Sequence, residues 1–186
     1  PIALLSDTKT DNSYTKHFFT DKEQYHSVLS QYQSDGLTLF SRIDIPTTPM
    51  PNEGYPVVIF VHGWIGEAKA PSYNFNYDTS SQYADIIDEL VKKGFVVLTP
   101  GLRGHGTVNE KAADGIEYLS IWDNGSYVSP IYYGIDVLNL LDSIDSISTI
   151  DWSGVSSNIA PVKVNTQHIN IFGHSQGGDT ILTALA

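Results

Sequence analysis

Ile169-Asn170-Ile171-Phe172-Gly173-His174-Ser175-Gln176-Gly177-Gly178 is the stretch whose reading decides the fold. Ile169 to Phe172 reads as a short strand running into Gly173, and Gln176 to Ala186 reads as the start of a helix. Ser175 therefore sits on a sharp strand-to-helix turn. Such a turn strains its central residue, exposes that residue's side chain, and needs glycine on both flanks so that neighbouring chain segments do not clash. A serine hydroxyl is a weak nucleophile near neutral pH and needs exposure, a base and donors for an oxyanion. Gly173-x-Ser175-x-Gly177 meets the first need, and Gly178 leaves further room. A helix starting at Gln176 also aims free N–H groups and its positive dipole end at this point.

Upstream, Val57-Val58-Ile59-Phe60-Val61 is apolar at every position, as expected of a parallel strand buried on both faces, and it ends in His62-Gly63-Trp64. A sheet of this kind places that loop beside the Ser175 turn. The backbone N–H groups of Trp64 and Gln176 are then expected to receive an oxyanion, each such donor being worth roughly 3 to 4 kcal/mol. Neither role uses a side chain. His62 is read as a structural histidine that ties down its loop, His174 as a packing or positioning residue, and Trp64 as a wall of the acyl pocket. Gly63, Gly173 and Gly177 support the turn and its neighbour.

The remaining pattern completes a β-α-β-α-β-α order behind a hairpin, which predicts a mostly parallel sheet with right-handed crossovers. Leu37 to Ile45 alternates with period two, Ser34-Asp35-Gly36 supplies a turn, and Tyr25 to Gln33 is the expected antiparallel partner. Pro46 to Pro56 reads as a loop. Tyr83, Ile86, Ile87, Leu90 and Val91 fall at helical spacing, with Ser80 or Ser81 as N-cap and Gly94 as C-cap. Phe95 to Leu98 is a second buried strand, stopped by Pro100-Gly101. Tyr133, Val137, Leu140, Leu141, Ile144 and Ile147 form a second helical stripe, and Asp136, Asn139, Asp142 and Asp145 read as its solvated side. Arg103 to Pro130 reads as a long loop with room for short helical turns, and Gly101 to Gly106 reads as a structural turn with Arg103 paired to a carboxylate. Residues 107–130 read as a candidate lid or insertion loop, with Ile116, Leu119, Ile121 and Trp122 near one another, and residues 1–20 read as a surface arm. The whole of 1–186 is read as one domain.

Composition narrows the classes. The 186 residues are 41% hydrophobic and 17% charged, enough apolar material for a sizeable core. A net charge of -11 repels a phosphate backbone or an anionic membrane surface, so nucleic-acid binding is not expected. With no Cys there is no disulfide and no thiol nucleophile. No His/Asp/Glu cluster has metal-ligand spacing, no phosphate-binding glycine motif is complete, and no apolar run reaches the length of a membrane span. Few Lys among many Ser, Thr, Asn and Tyr lean toward a secreted or periplasmic protein.

On these residues the chain resembles the α/β-hydrolase superfamily, and within it the prolyl-oligopeptidase-like and dienelactone-hydrolase-like branch. The matching pieces are Ser34-Asp35-Gly36-Leu37, Pro56 through Gly63, Pro100 through Gly106, Asp136-Val137-Leu138, and Gly173 through Gly178. The resemblance implies an α/β-hydrolase fold, incomplete at the C-terminus, and hydrolysis of a small-molecule ester or short peptide through an acyl-enzyme on Ser175, without metal or organic cofactor. It also implies the chain order nucleophile, acid, His. Asp136, Asp142, Asp151, His105 and His168 all precede Ser175, so the acid and the His are expected from a C-terminal portion outside these residues. Oligopeptidases of this branch usually carry a propeller domain upstream, for which the chain before Val57 is too short, and an esterase is therefore expected over a peptidase. A lipase with a lid and a non-catalytic binding module on the same fold are the other readings. Trp64, Tyr73, Phe75, Tyr77, Trp122 and Tyr127 are the aromatic residues expected around the mouth.

Overall fold

The computed structural model describes residues 1–4, 19–22, 25–73, 83–108, 110–119, 129–154 and 157–186. Its strands are β1 (Ala3–Leu4), β2 (Phe19–Lys22), β3 (Tyr25–Ser34), β4 (Leu37–Pro46), β5 (Tyr55–Val61), β6 (Val96–Pro100), β7 (Thr107–Val108), β8 (Lys111–Ala112) and β9 (Val164–Gly173). Among the described residues its longer α-helices are α1 (Ala84–Lys92), α2 (Ser129–Asp142) and α3 (Gln176–Leu185). One seven-stranded sheet runs β1-β3-β4-β6-β5-β9, with β2 also paired to β3. The β3–β4 hairpin is antiparallel and turns through Asp35 and Gly36, both at positive φ. β4 joins it to β6, and the core β6-β5-β9 is parallel. Among the described residues no helix is long and apolar enough to cross a membrane.

Continuous apolarity in β5 has a physical cause visible in the packing. Val57, Ile59 and Val61 join a cluster with Tyr133, Val137, Leu140 and Ile144 on one face. Val58 and Phe60 join Ala84, Ile87 and Val91 on the other. A strand that alternates its side chains between two covered faces has no position left for a polar residue.

Helix α1 ends as its Gly94 predicts. At φ +91 this glycine donates to Val91 O at 2.9 Å while Phe95 N reaches Leu90 O at 3.3 Å, the paired bonds of a Schellman ending. Its start differs from the expectation: Tyr83 occupies the N-cap position without a side-chain cap bond, and Ser80 and Ser81 lie outside the described residues. Ile86 is also exposed, because the burial of this short helix is carried by Ala84, Ile87 and Val91.

Asp136 corrects the reading of the second stripe. Three-residue spacing groups it with Asp142 and Asp145, which are exposed, yet Asp136 is fully buried. It lies three residues after Tyr133 and four before Leu140, so helical geometry sets it against the apolar stripe. There it meets Arg103, with Nη2–Oδ1 at 2.7 Å, Nε within 3.2 Å of both oxygens, and the Arg103 N–H at 3.0 Å from Oδ2. Ser34 Oγ donates to Asp136 Oδ1 at 2.6 Å, tying the β3–β4 turn to α2. Burial by itself lowers the Arg103 pKa, but the hydrogen bonds and charge of Asp136 reverse that and raise it. The rings of Tyr118 and Tyr132 flank the guanidinium at 4.6 and 5.1 Å.

Among the described residues after Arg103 the loop holds a short helical turn, as expected, and also a small hairpin. β7 and β8 form a small hairpin, Ile116–Tyr118 makes a 3-10 turn, and α2 begins at Ser129 with Pro130 in its first turn. Of the apolar residues proposed for a lid, Ile116 is exposed and Leu119 is buried, while Ile121 and Trp122 lie outside the described residues. Most of the predicted arm over 1–20 lies outside them as well.

Candidate active site

β5 and β9 are neighbouring parallel strands, in register from Val57↔Ile169 to Val61↔Gly173. Their C-terminal ends therefore release two loops side by side, His62 onward from one and His174 onward from the other. The chain leaves β5 toward β6 on one side and returns to β9 on the other, so this is a switch point of the kind where open α/β sheets bind ligands.

At the second loop Ser175 has φ 54 and ψ -121, a backbone that L-residues rarely adopt, and its side chain is exposed immediately before α3. The surrounding glycines are sterically required. A Cβ on Gly173 would stand 2.4 Å from the Gly177 carbonyl, and a Cβ on Gly177 would stand 2.3 Å from Val61 O and 2.7 Å from His62 O. The turn is closed by His174 N to Val61 O at 3.1 Å, Gly177 N to His174 O at 2.9 Å and Gly178 N to Ser175 O at 2.8 Å.

Two amides remain open at this point. Gln176 is the first residue of α3, where a helix leaves its N–H groups without internal acceptors. Neither its N–H nor that of Trp64 has an acceptor among the described residues. The Gly63 amide, by contrast, is engaged: it donates to the Tyr83 hydroxyl at 3.0 Å. The Trp64 side chain is 55% exposed and lies over Gly66, at the surface rather than in the core.

His62 is 1% exposed, with Nδ1 2.7 Å from the Gly63 carbonyl and its ring 4.6 Å from that of Tyr73. His105 packs 5.0 Å from it and holds the Arg103 carbonyl through Nδ1 at 3.0 Å. Burial lowers the His62 pKa to about 3, with His105 adding to the effect, and burial lowers that of His105 to about 4. Both rings are therefore neutral at pH 7, and their Nδ1–H groups are committed to backbone carbonyls. Neither is placed to act on Ser175, for which no hydrogen-bonded base exists among the described residues. His168 and His174 are exposed.

Tyr83 was missed as a site residue. Its position in the helical stripe suggests core packing. In the structure it stands at the N-terminal end of α1, which faces the same strand ends as the site, and its hydroxyl lies 3.0 Å from His174 Nδ1. The available signal was an amphipathic aromatic residue at the start of the helix that follows the His62 loop. Of the other aromatic residues expected at the mouth, Tyr73 packs on His62 and His105, and Phe75, Tyr77, Trp122 and Tyr127 lie outside the described residues. Among the described residues no group of three His, Asp or Glu side chains could hold a metal ion.

No family model and no curated protein matches the sequence. Solved structures do. The chain is similar to a cold-adapted esterase from an Arctic intertidal metagenomic library, with 15% identity and a TM-score of 0.53 over 89% of this chain and 57% of that one. It is similar to an acetyl xylan esterase from Paenibacillus sp. R4, with 19% identity and a TM-score of 0.52 over 99% and 48%. It is also similar to an acylaminoacyl peptidase from Pyrococcus horikoshii, with 18% identity and a TM-score of 0.57 over 88% and 21%. The chain thus has the α/β-hydrolase fold, and it spans about half the length of these esterases and about a fifth of the peptidase.

Proposed function

We propose that Ser175 is the nucleophile of a hydrolase that cleaves carboxylic esters by acyl transfer. The observation that carries this reading is the strained, exposed Ser175 backbone at the start of α3, beside two amides, Trp64 and Gln176, that have no acceptor among the described residues. Strain of this kind costs of order 1–3 kcal/mol and persists where function requires it. Ser175 Oγ attacks the ester carbonyl, the Trp64 and Gln176 N–H groups hold the resulting oxyanion, and the tetrahedral intermediate expels the alcohol. Water then cleaves the acyl-enzyme and returns the serine. The histidine that takes the Ser175 proton and returns it to the leaving alcohol, and the carboxylate that orients that histidine, come from outside the described residues. The exposed Trp64 indole offers an apolar wall to the acyl group, and the likeness to two esterases supports an ester substrate.

A fluorophosphonate probe applied to the full-length protein, followed by peptide mapping, tests the reading. Labelling should fall on Ser175 and vanish in Ser175→Ala. Labelling elsewhere, or none in folded protein, would sink it and leave a non-catalytic module on this fold. The likeness to an acylaminoacyl peptidase favours a second reading, a serine peptidase. Comparing p-nitrophenyl esters with aminoacyl anilides separates the two.

A further inference from the structure

We infer that Tyr83 is a positioning residue of the oxyanion hole, relaying a hydrogen bond from the Gly63 amide to the His174 ring and so locking the Trp64 loop against the Ser175 turn. The inference rests on the reading of Ser175 as nucleophile and Trp64 N–H as an oxyanion donor. Past Val61 and Gly173 the strand ladder stops holding the two loops together, and Gly63 is the softest link in the first of them. Both peptides flanking Gly63 are nevertheless pinned. The one before it is held through its N–H by the Tyr83 hydroxyl at 3.0 Å, and the one after it through its carbonyl by His62 Nδ1 at 2.7 Å. Because a trans peptide points its C=O and N–H in opposite directions, fixing the Gly63 carbonyl toward His62 turns the Trp64 N–H away from it.

The Tyr83 oxygen accepts from Gly63 and is hydrogen-bonded to His174 Nδ1 at 3.0 Å, one residue before the nucleophile. Its ring is held edge-on to buried Phe60 at 5.0 Å, so the hydroxyl does not wander. The fit is close: a Cβ on Gly63 would stand 2.9 Å from His174 Nδ1 and 3.1 Å from the Tyr83 hydroxyl oxygen, so a side chain there would push against both members of the relay. No sequence pattern assigns this role.

The test is Tyr83→Phe in the full-length protein, which keeps the ring on Phe60 and deletes the relay. With p-nitrophenyl acetate, kcat should fall about 10-fold, a fraction of the loss for deleting an oxyanion donor outright, with KM within about twofold. The thermal midpoint should stay near wild type. His174→Ala cuts the far end of the relay and should also lower kcat at constant KM, and the double variant should be no slower than the slower single. Wild-type kcat in Tyr83→Phe, or losses that multiply in the double variant, would overturn the inference. If Tyr83→Phe does not fold, unchanged kcat in His174→Ala overturns it instead. Absence of fluorophosphonate labelling at Ser175 in the wild type would instead remove the nucleophile reading itself, so the two failures are distinguishable.

Discussion

A Cβ placed on Gly177 would stand 2.3 Å from the carbonyl oxygen of Val61. The helix that follows Ser175 thus rests on the backbone of the strand that carries the opposing loop. This contact brings the start of the helix that carries the Gln176 amide against the end of the strand that leads to the Trp64 amide.

Gly177→Ala should accordingly be destabilising by about 3 kcal/mol or more, because both opposing atoms are backbone and cannot give way. Gly178→Ala, whose Cβ would find its nearest atom 3.8 Å away, should be neutral or stabilising by up to about 1 kcal/mol. Urea midpoints of the two variants check the pair, and equal destabilisation would refute the steric account.

Ser175→Gly should separate stability from activity. Glycine adopts φ 54 without strain, so the variant should gain about 1 kcal/mol in urea unfolding while ester turnover falls by at least about 10⁴-fold. A variant that is less stable than wild type would argue that Ser175 is comfortable in its turn.

Asp136→Asn leaves the buried Arg103 with only the longer contact to the exposed Asp35, Nη2–Oδ2 at 3.5 Å, and should cost about 3–5 kcal/mol. Asp142→Asn, on the exposed side of the same helix, should change stability by less than about 0.5 kcal/mol. Chemical denaturation of both distinguishes the buried acid from the solvated one.

Acid should weaken the fold through His62 and His105. Their folded pKa values, about 3 and about 4, lie below the ordinary 6.5, so the unfolded chain binds protons first as pH falls. Their contribution is full above pH 6.5 and is lost as pH drops below it, at up to about 1.4 kcal/mol per pH unit for each ring. The loss from His105 levels off near pH 4 and that from His62 near pH 3. His105→Phe should flatten the stability curve between pH 6.5 and 4 relative to wild type, measured by urea unfolding at a series of pH values. An unchanged slope would show that His105 does not stay neutral in the fold.

Much of the site was legible because its demands are local. A strained turn needs glycine at fixed offsets, and a strand covered on both faces needs apolar residues at every position. Gly173-x-Ser175-x-Gly177 and Val57 to Val61 carry those signatures whatever surrounds them. Asp136 and Tyr83 were misread for the opposite reason. Three-residue spacing assigns a residue to a side of a helix, but not the neighbour that side meets. An acid at the margin of the stripe looks solvated until Arg103 arrives from a loop 33 residues earlier, and a tyrosine at helical spacing looks like core until its hydroxyl is seen between Gly63 and His174.

The sequence by itself determined the strand order's raw material, the turn at Ser175 and the identity of the loop facing it, since these follow from periodicity and from where only glycine fits. Only the tertiary structure decided that the Gly63 amide is taken and that the Trp64 and Gln176 amides have no acceptor among the described residues. It also decided that His62 and His105 are sealed away as neutral rings. Those outcomes depend on which groups from distant segments come within 3 Å of one another, a distance that sequence spacing does not encode.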